Sequence, residues 1–269
     1  MKKYFLYIIT LALFIVSCKK NDPIVDVISP PIQNYILPKS ITIINANGTF
    51  TSTFSYNGNK LVSIVGTSSI VSYTYTGNLV TKITSTNSAP NESLNIEDFV
   101  YNIDNTISSI ATYYEYNNSG QTIKSKNIIR YIYNVNGTIN QRNYNIDINN
   151  GLETPDNYSV DYTFTNGNIT KGNNINYNSF NLREQIFEYD LKNSPYKNVL
   201  GYNKLFKERS NTNNLLKRIL TDTIYFNGQT IVTSDIQTRT YVYNSDNFPT
   251  EIKNFNSSGT LLSTTQFTY

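Results

Sequence analysis

The side chains able to do chemistry in this chain are carboxylates and little else. Its 269 residues include no histidine and a single cysteine, Cys18. Without histidine the usual general base, the usual triad partner and the commonest zinc ligand are missing together. Glu97, Asp98, Glu184, Glu188, Asp190 and Asp235 remain as candidates for a glycosidase-like pair. In such a pair one carboxyl protonates the leaving oxygen and the other acts as base or nucleophile. Glu188 and Asp190, two residues apart on a strand, would share a face at about 7 Å, within the inverting range. Solvated carboxylates on any polar strand face have that spacing too, and this reading outweighs catalysis. The glycines fall singly in turns rather than in a phosphate-binding loop. No Asp-rich loop has the ligand spacing of a calcium site. No cofactor or metal is expected.

Those carboxylates must be placed by strands. Nine times an aromatic residue precedes a short Asn- and Gly-rich turn that ends in an apolar, usually branched, residue. The copies lie at 56–61, 75–79, 101–107, 116–123, 133–139, 164–169, 226–231, 243–248 and 255–261. Asn and Gly supply the positive φ of tight hairpin turns, so each copy predicts a β-hairpin. Between turns the period is two. Phe50, Ser52, Phe54 and Tyr56 share a face, and Tyr73/Tyr75, Tyr131/Tyr133 and Tyr241/Tyr243 each flank one residue. Aromatics so spaced build one face of a sheet and stack across strands, which accounts for most of the 23 tyrosines without a ligand. The expected fold is all-β: a large antiparallel meander of repeated hairpins curled into a barrel or half-barrel.

One segment breaks the rhythm. Around 195–209, Tyr196, Val199, Leu200, Leu205 and Phe206 lose alternation, and Pro195 suits a first helical turn. This predicts a partly helical connection that plugs one end of the sheet. The polar stretches 87–95 and 149–157, each with one proline, read as long loops.

The N-terminus bears on location. Lys2 and Lys3 precede an apolar run from Tyr4 to Val16, too short to span a bilayer comfortably, so 1–17 reads as a secretory signal. The run ends in Ile15-Val16-Ser17-Cys18, which resembles the lipobox of bacterial lipoproteins. That resemblance makes Cys18 the site of lipid attachment. Acyl chains contribute about 0.8 kcal/mol per buried methylene, so several of them anchor a protein without a transmembrane helix. Lys19-Lys20-Asn21-Asp22 is similar to the surface-export signal of Bacteroidota lipoproteins. It points to the outer membrane and leaves the choice of periplasmic or surface face open. Residues 18–39, with four prolines, read as a lipidated tether, and 40–269 as a single antiparallel β domain. Without Lys2 and Lys3 the 22 basic residues become 20 against 19 acidic ones, a net charge of +1. That balance argues against nucleic-acid binding, which needs a concentrated basic face.

The repeat resembles the YD repeats of Rhs-type proteins in degenerate form, with Tyr-Asp itself kept at Tyr189-Asp190. A closer resemblance is carried by Phe187-Glu188-Tyr189-Asp190-Leu191-Lys192-Asn193-Ser194-Pro195-Tyr196, followed by Ser210-Asn211-Thr212-Asn213-Asn214. This stretch is similar to a family of Bacteroidota lipoproteins of unknown function with a porin-like fold. Its members end a strand in Tyr-Asp, pass through an Asn-Pro-aromatic step and a partly helical loop, and reach an Asn-Asn pair before the next strand. Ser194, inserted between Asn193 and Pro195, departs from that pattern. The resemblance spans about residues 40–269 and implies a curled meander, not an activity. Asp222-Thr223-Ile224 resembles a Bacteroidota O-glycosylation site, with Thr223 as acceptor.

Three functional readings follow. The leading one is a non-enzymatic outer-membrane lipoprotein whose sheet serves as a binding or structural module, with a glycan or an envelope protein as partner. The second is a carboxylate-dependent enzyme acting on polysaccharide. The third is an Rhs-like shell fragment enclosing another polypeptide.

Overall fold

The computed structural model describes residues 35–88, 92–118, 120–176, 181–206 and 211–269. Sixteen strands account for most of them. The first eight are β1 (Ser40–Asn45), β2 (Gly48–Asn57), β3 (Lys60–Val65), β4 (Ser69–Thr76), β5 (Leu79–Asn87), β6 (Ser93–Tyr101), β7 (Ile107–Asn118) and β8 (Gln121–Tyr133). The rest are β9 (Thr138–Ile146), β10 (Glu153–Thr165), β11 (Asn168–Asn176), β12 (Leu182–Tyr189), β13 (Leu215–Phe226), β14 (Gln229–Tyr243), β15 (Pro249–Phe255) and β16 (Leu261–Thr268). Each pairs antiparallel with the next, and β1 pairs with β16 from Ser40↔Thr268 to Asn45↔Ser263. The meander is therefore a closed barrel rather than a half-barrel, and closure leaves no unpaired sheet edge.

Alternation sorts the side chains into two walls. Leu61, Val80, Phe99, Ile110, Tyr131, Val160 and Tyr162 are buried in one continuous core, so the residues that share their faces point inward. The turns behave as the Asn/Gly pattern predicts. In the β10–β11 turn Asn166 and Gly167 both take positive φ, 52° and 76°, as a two-residue hairpin turn requires. Two expected loops are shorter than their polar stretches suggest. β6 already starts at Ser93, and β10 starts at Glu153. Pro155 lies within β10 beside a register shift, where the missing N–H costs least.

An up-and-down barrel has two rims, and the repeat copies divide between them. Those at 56–61, 75–79, 101–107, 133–139, 164–169 and 243–248 join an even strand to the next odd one and share a rim. The other three lie at the far rim. At the first rim a register shift precedes the aromatic in β2/β3, β4/β5, β6/β7, β10/β11 and β14/β15. Such a bulge re-aims one side chain, and here it lets the core take the residue after the turn. Leu61, Ile107, Ile169 and Phe248 are buried there. In the β4–β5 copy the buried residue is Val80, one beyond Leu79. At the far rim Ile123, Ile231 and Leu261 stay exposed.

The β12–β13 connection fills the first rim from within. It carries one 3-10 turn, Tyr202–Lys204, as its only helical element among the described residues, less helix than Pro195 and the lost alternation predict; 207–210 lie outside them. Its apolar residues Val199, Tyr202, Leu205 and Phe206 are all buried. Phe206 meets Tyr131, Tyr162 and Phe164 at centroid distances of 4.2, 5.3 and 5.7 Å. Tyr196 meets Tyr202 at 4.7 Å and Phe54 at 6.2 Å. The wall aromatics are the socket of a plug. The plug is also pinned by backbone: Leu200 N–H donates to the Asn59 carbonyl at 2.9 Å. Gly201, at φ 74°, passes so close to the β4–β5 turn that a Cβ there would lie 2.6 Å from the Asn78 carbonyl oxygen.

Tyrosine hydroxyls lace this rim. Tyr56 donates to the Pro38 carbonyl at 2.8 Å, Tyr101 to Val80 at 2.7 Å, Tyr133 to Ile107 at 3.0 Å and Tyr269 to Pro249 at 3.0 Å. Each sits at or just past the end of an even strand and reaches the start of the odd strand before it. Tyr75 sits in the same row, accepting from the Leu61 N–H at 3.1 Å. Burial pushes Tyr101 up to about 12 and raises Tyr56, Tyr75, Tyr133 and Tyr269 as well. In the unfolded chain tyrosines ionise near about 10, so above that pH the unfolded state holds fewer protons than the folded one and stability falls. Thermal melts followed by circular dichroism should give a constant melting temperature from about pH 7 to 9 and a steep fall between about pH 10 and 12. A melting temperature unchanged through that second window would contradict the lace.

Candidate functional site

Beyond the plug the inward side chains change character. On β9 the inward row runs Ile139, Gln141, Asn143 and Asn145, facing Tyr133, Tyr131, Ile129 and Asn127 of β8. On β11 it runs through Gly172 and Asn174, opposite Gln185 and Arg183 of β12. The half of the lumen near the plugged rim is thus aromatic and aliphatic, and beyond it these rows carry amides and Arg183. A cavity of about 370 Å³ lies against the wall between the two halves, bordered by Gln141, Tyr158, Asn174, Arg183 and Phe187 and floored by Asn211 of the plug connection. A second cavity of about 240 Å³ shares Tyr158, Asn174 and Arg183 and continues to Asp222 and Ile224.

Charge in this chamber is balanced in place. The Arg183 guanidinium grips the Asp222 carboxylate through Nε at 2.6 Å and Nη2 at 3.0 Å. That fork holds the Asp222 carboxyl below its ordinary value and fixes both side chains in plane. Tyr158, raised by burial, accepts from the Asn174 amide. Gln141 Nε2 donates to Asn143 at 3.0 Å.

The candidate carboxylates are dispersed rather than paired. Glu97 faces inward on β6, with Ile83 and Thr112 opposite. Its neighbour Asp98 faces outward and meets Lys82 at 3.2 Å. Glu184 and Glu188 face outward, bound to Lys171 and to Lys217, the latter at 3.3 Å. Asp235 faces inward opposite Leu220 and accepts from Gln237 at 3.3 Å. Glu188 and Asp190 do not share a face, because β12 ends at Tyr189 and a register shift separates Glu188 from it. Among the described residues no group of three or more Asp, Glu, Cys or His could hold a metal ion. Thr223 lies on the outward face of β13, opposite Leu182 and Val232. Cys18 lies outside the described residues.

Asp190 is the clamp of the plug. One of its oxygens accepts from the Lys192 N–H at 2.9 Å and the Asn214 N–H at 3.1 Å; the other accepts from the Asn214 amide at 3.2 Å and from the Tyr243 hydroxyl. Asn214 also donates to the Asn193 carbonyl at 3.0 Å, and Asn213 exchanges hydrogen bonds with Asn168 at 2.9 and 3.0 Å. The Tyr-Asp step and the Asn-Asn pair are thus the two jaws holding both ends of the plug. Their chemistry is structural.

The outer wall carries ion pairs among exposed apolar residues such as Val100, Ile132, Val232 and Val242. Besides the three pairs above, Lys124 meets Glu115 at 3.5 Å, Arg130 meets Glu153 at 2.7 Å, and Lys253 meets Glu251 at 3.2 Å. Lys82, Lys171 and Lys253 sit near the middle of their strands. A lysine or arginine facing lipid at that height costs about 2–4 kcal/mol.

Neither a family model nor a curated protein sequence matches the chain. The fold does have solved counterparts. A porin-like protein from Bacteroides vulgatus ATCC 8482 is similar with a TM-score of 0.58 and 12% identity, covering 87% of this chain and 99% of that one. A porin-like protein from Bacteroides uniformis ATCC 8492 aligns with a TM-score of 0.44 and 11% identity, covering 86% and 97%. At 12% identity the first likeness shows the fold: a porin-like barrel, in agreement with the porin-like fold of the Bacteroidota resemblance.

The two carboxylates once paired by spacing now have separable roles. Asp190→Ala should lower the unfolding free energy by about 3 kcal/mol through several lost charge-assisted bonds. Glu188→Ala should cost less than about 1 kcal/mol, as an exposed ion pair does. Urea denaturation of both variants checks this, and equal losses would refute the clamp.

Proposed function

We propose that this chain is a non-enzymatic outer-membrane lipoprotein, anchored through Cys18, whose barrel stands in water beside the membrane and uses its lumen as a binding cup. The observation that carries the reading is the pairing of an ionic outer wall with a lumen plugged by the chain itself. A porin uses the opposite arrangement, an apolar band outside and a channel within. The lipobox-like Ile15-Val16-Ser17-Cys18 supplies the anchor that such a wall cannot, and the tether at 18–39 gives the barrel reach. The outward hydroxyl of Thr223 suits glycan attachment on the solvent side. The partner is a glycan or an envelope protein rather than nucleic acid.

The other two readings are weaker for stated reasons. Hydrolysis through paired carboxyls needs two of them across one cleft, and four of the six candidates are bound to lysine or to the plug frame. A shell for a second polypeptide needs its interior free, whereas Tyr202, Leu205 and Phe206 occupy part of it.

Fractionation of expressing cells tests the anchor. The native chain should sediment with membranes and need detergent for release, while Cys18→Ala should appear in the soluble envelope fraction. Undiminished membrane retention of Cys18→Ala would overturn the reading, because the barrel wall would then be holding the membrane itself.

A further inference from the structure

We propose that the 370 Å³ cavity beside the plug binds one ring of a neutral saccharide; this rests on the binding-cup reading above. The case starts from two buried oxygens. Gln141 is 3% exposed and Asn174 5% exposed, and both border the cavity. The amide oxygen of each, Gln141 Oε1 and Asn174 Oδ1, has no hydrogen-bond partner among the described residues. Their amide nitrogens are committed, Gln141 to Asn143 and Asn174 to Tyr158, so both oxygens are held in place and ask for a donor. A buried acceptor left without one costs about 1–3 kcal/mol; both oxygens are closed to solvent in the free protein, and a ligand hydroxyl that reaches them as the lining side chains turn recovers that cost.

The remaining lining narrows the chemistry. Arg183 is the one ionised side chain among the described lining residues, and Asp222 neutralises it bidentately. An anionic or cationic ligand would enter without a counter-charge, so the site selects a neutral one. Tyr158, Tyr162 and Phe187 give aromatic surface beside the amides, an amphipathic lining that suits a ring with an apolar face and a polar edge. A volume of 370 Å³ is at the small end of ligand sites, about 300–1,000 Å³. The adjoining 240 Å³ cavity leads on along Asn176 and Asn181, which gives room for the next unit of an oligosaccharide.

Calorimetric titration of the full-length protein, held in a non-glycosidic detergent, tests the site. The probes are D-glucose, D-galactose and N-acetyl-D-glucosamine, with D-glucuronate as the charged control. At least one neutral sugar should bind saturably and more tightly than glucuronate. Gln141→Met and Asn174→Leu, each close to its parent in volume, should weaken that binding at least about fivefold. Each variant removes the unpaired oxygen together with one amide hydrogen bond, to Asn143 or to Tyr158, so circular dichroism should show both folded, with a melting temperature little changed. No saturable binding by any neutral sugar would overturn the site. So would tighter binding of glucuronate, or affinities unchanged in both folded variants. Capture of an envelope component that ignores Gln141→Met would keep the binding-cup reading while removing this site from it. The Cys18→Ala fractionation is indifferent to all these outcomes.

Discussion

A closed ring of sixteen strands encloses more space than its own inward side chains can fill. Eight strands leave an interior that wall residues can pack, whereas sixteen leave a lumen. The rest of the molecule answers that constraint. Closure itself is modest, six ladder positions between β1 and β16, but once made it obliges the chain to put something inside. The β12–β13 connection does so, and its buried Tyr202, Leu205 and Phe206 form one core with Leu61, Val80 and Ile107 of the wall. Without the plug those wall residues would face water, and the apolar half of the lumen would lose its reason to be apolar.

The same constraint explains why one repeat serves two purposes. At the plugged rim five of the six turns are combined with a bulge, and the aliphatic residue goes inward under the plug, as at Leu61 and Ile169. At the far rim Ile123 and Ile231 stay exposed without a register shift, and Leu261 stays exposed beside one. The turn chemistry is common to both, so the difference comes from what lies beneath each rim. Between the rims the inward rows pass from aromatic to amide, and the chamber they form combines stacking surface with fixed hydrogen-bond acceptors. That chamber, rather than any carboxylate, is the ligand site we propose.

Much of the scaffold is legible in the sequence because it is written in local signals. Asn-Gly turns and period-two aromatics predict the hairpins, and the broken alternation from Tyr196 to Phe206 predicts the plug. The plug's helical content was less legible: Pro195 suits a helix start, yet the backbone follows the socket of wall aromatics instead, and only Tyr202–Lys204 turns. The site was hidden for a different reason. Gln141 and Asn174 fall in phase with core residues Ile139 and Val160, a signal that exists in β9 and in the β10–β11 ladder. In a chain this rich in Asn the signal is masked, since the same residue type also makes nearly every turn. Carboxylate spacing misled at Glu188 and Asp190 because a strand end and a bulge fall between them, which no period-two count reveals.

The proposal that unites these features is that this barrel of porin-like shape acts neither as a channel nor as a membrane-spanning wall. Single-channel recording in planar bilayers addresses it directly. Purified full-length protein, added at concentrations where a porin inserts, should leave the bilayer conductance at its baseline. Discrete, reproducible conductance steps would contradict that proposal.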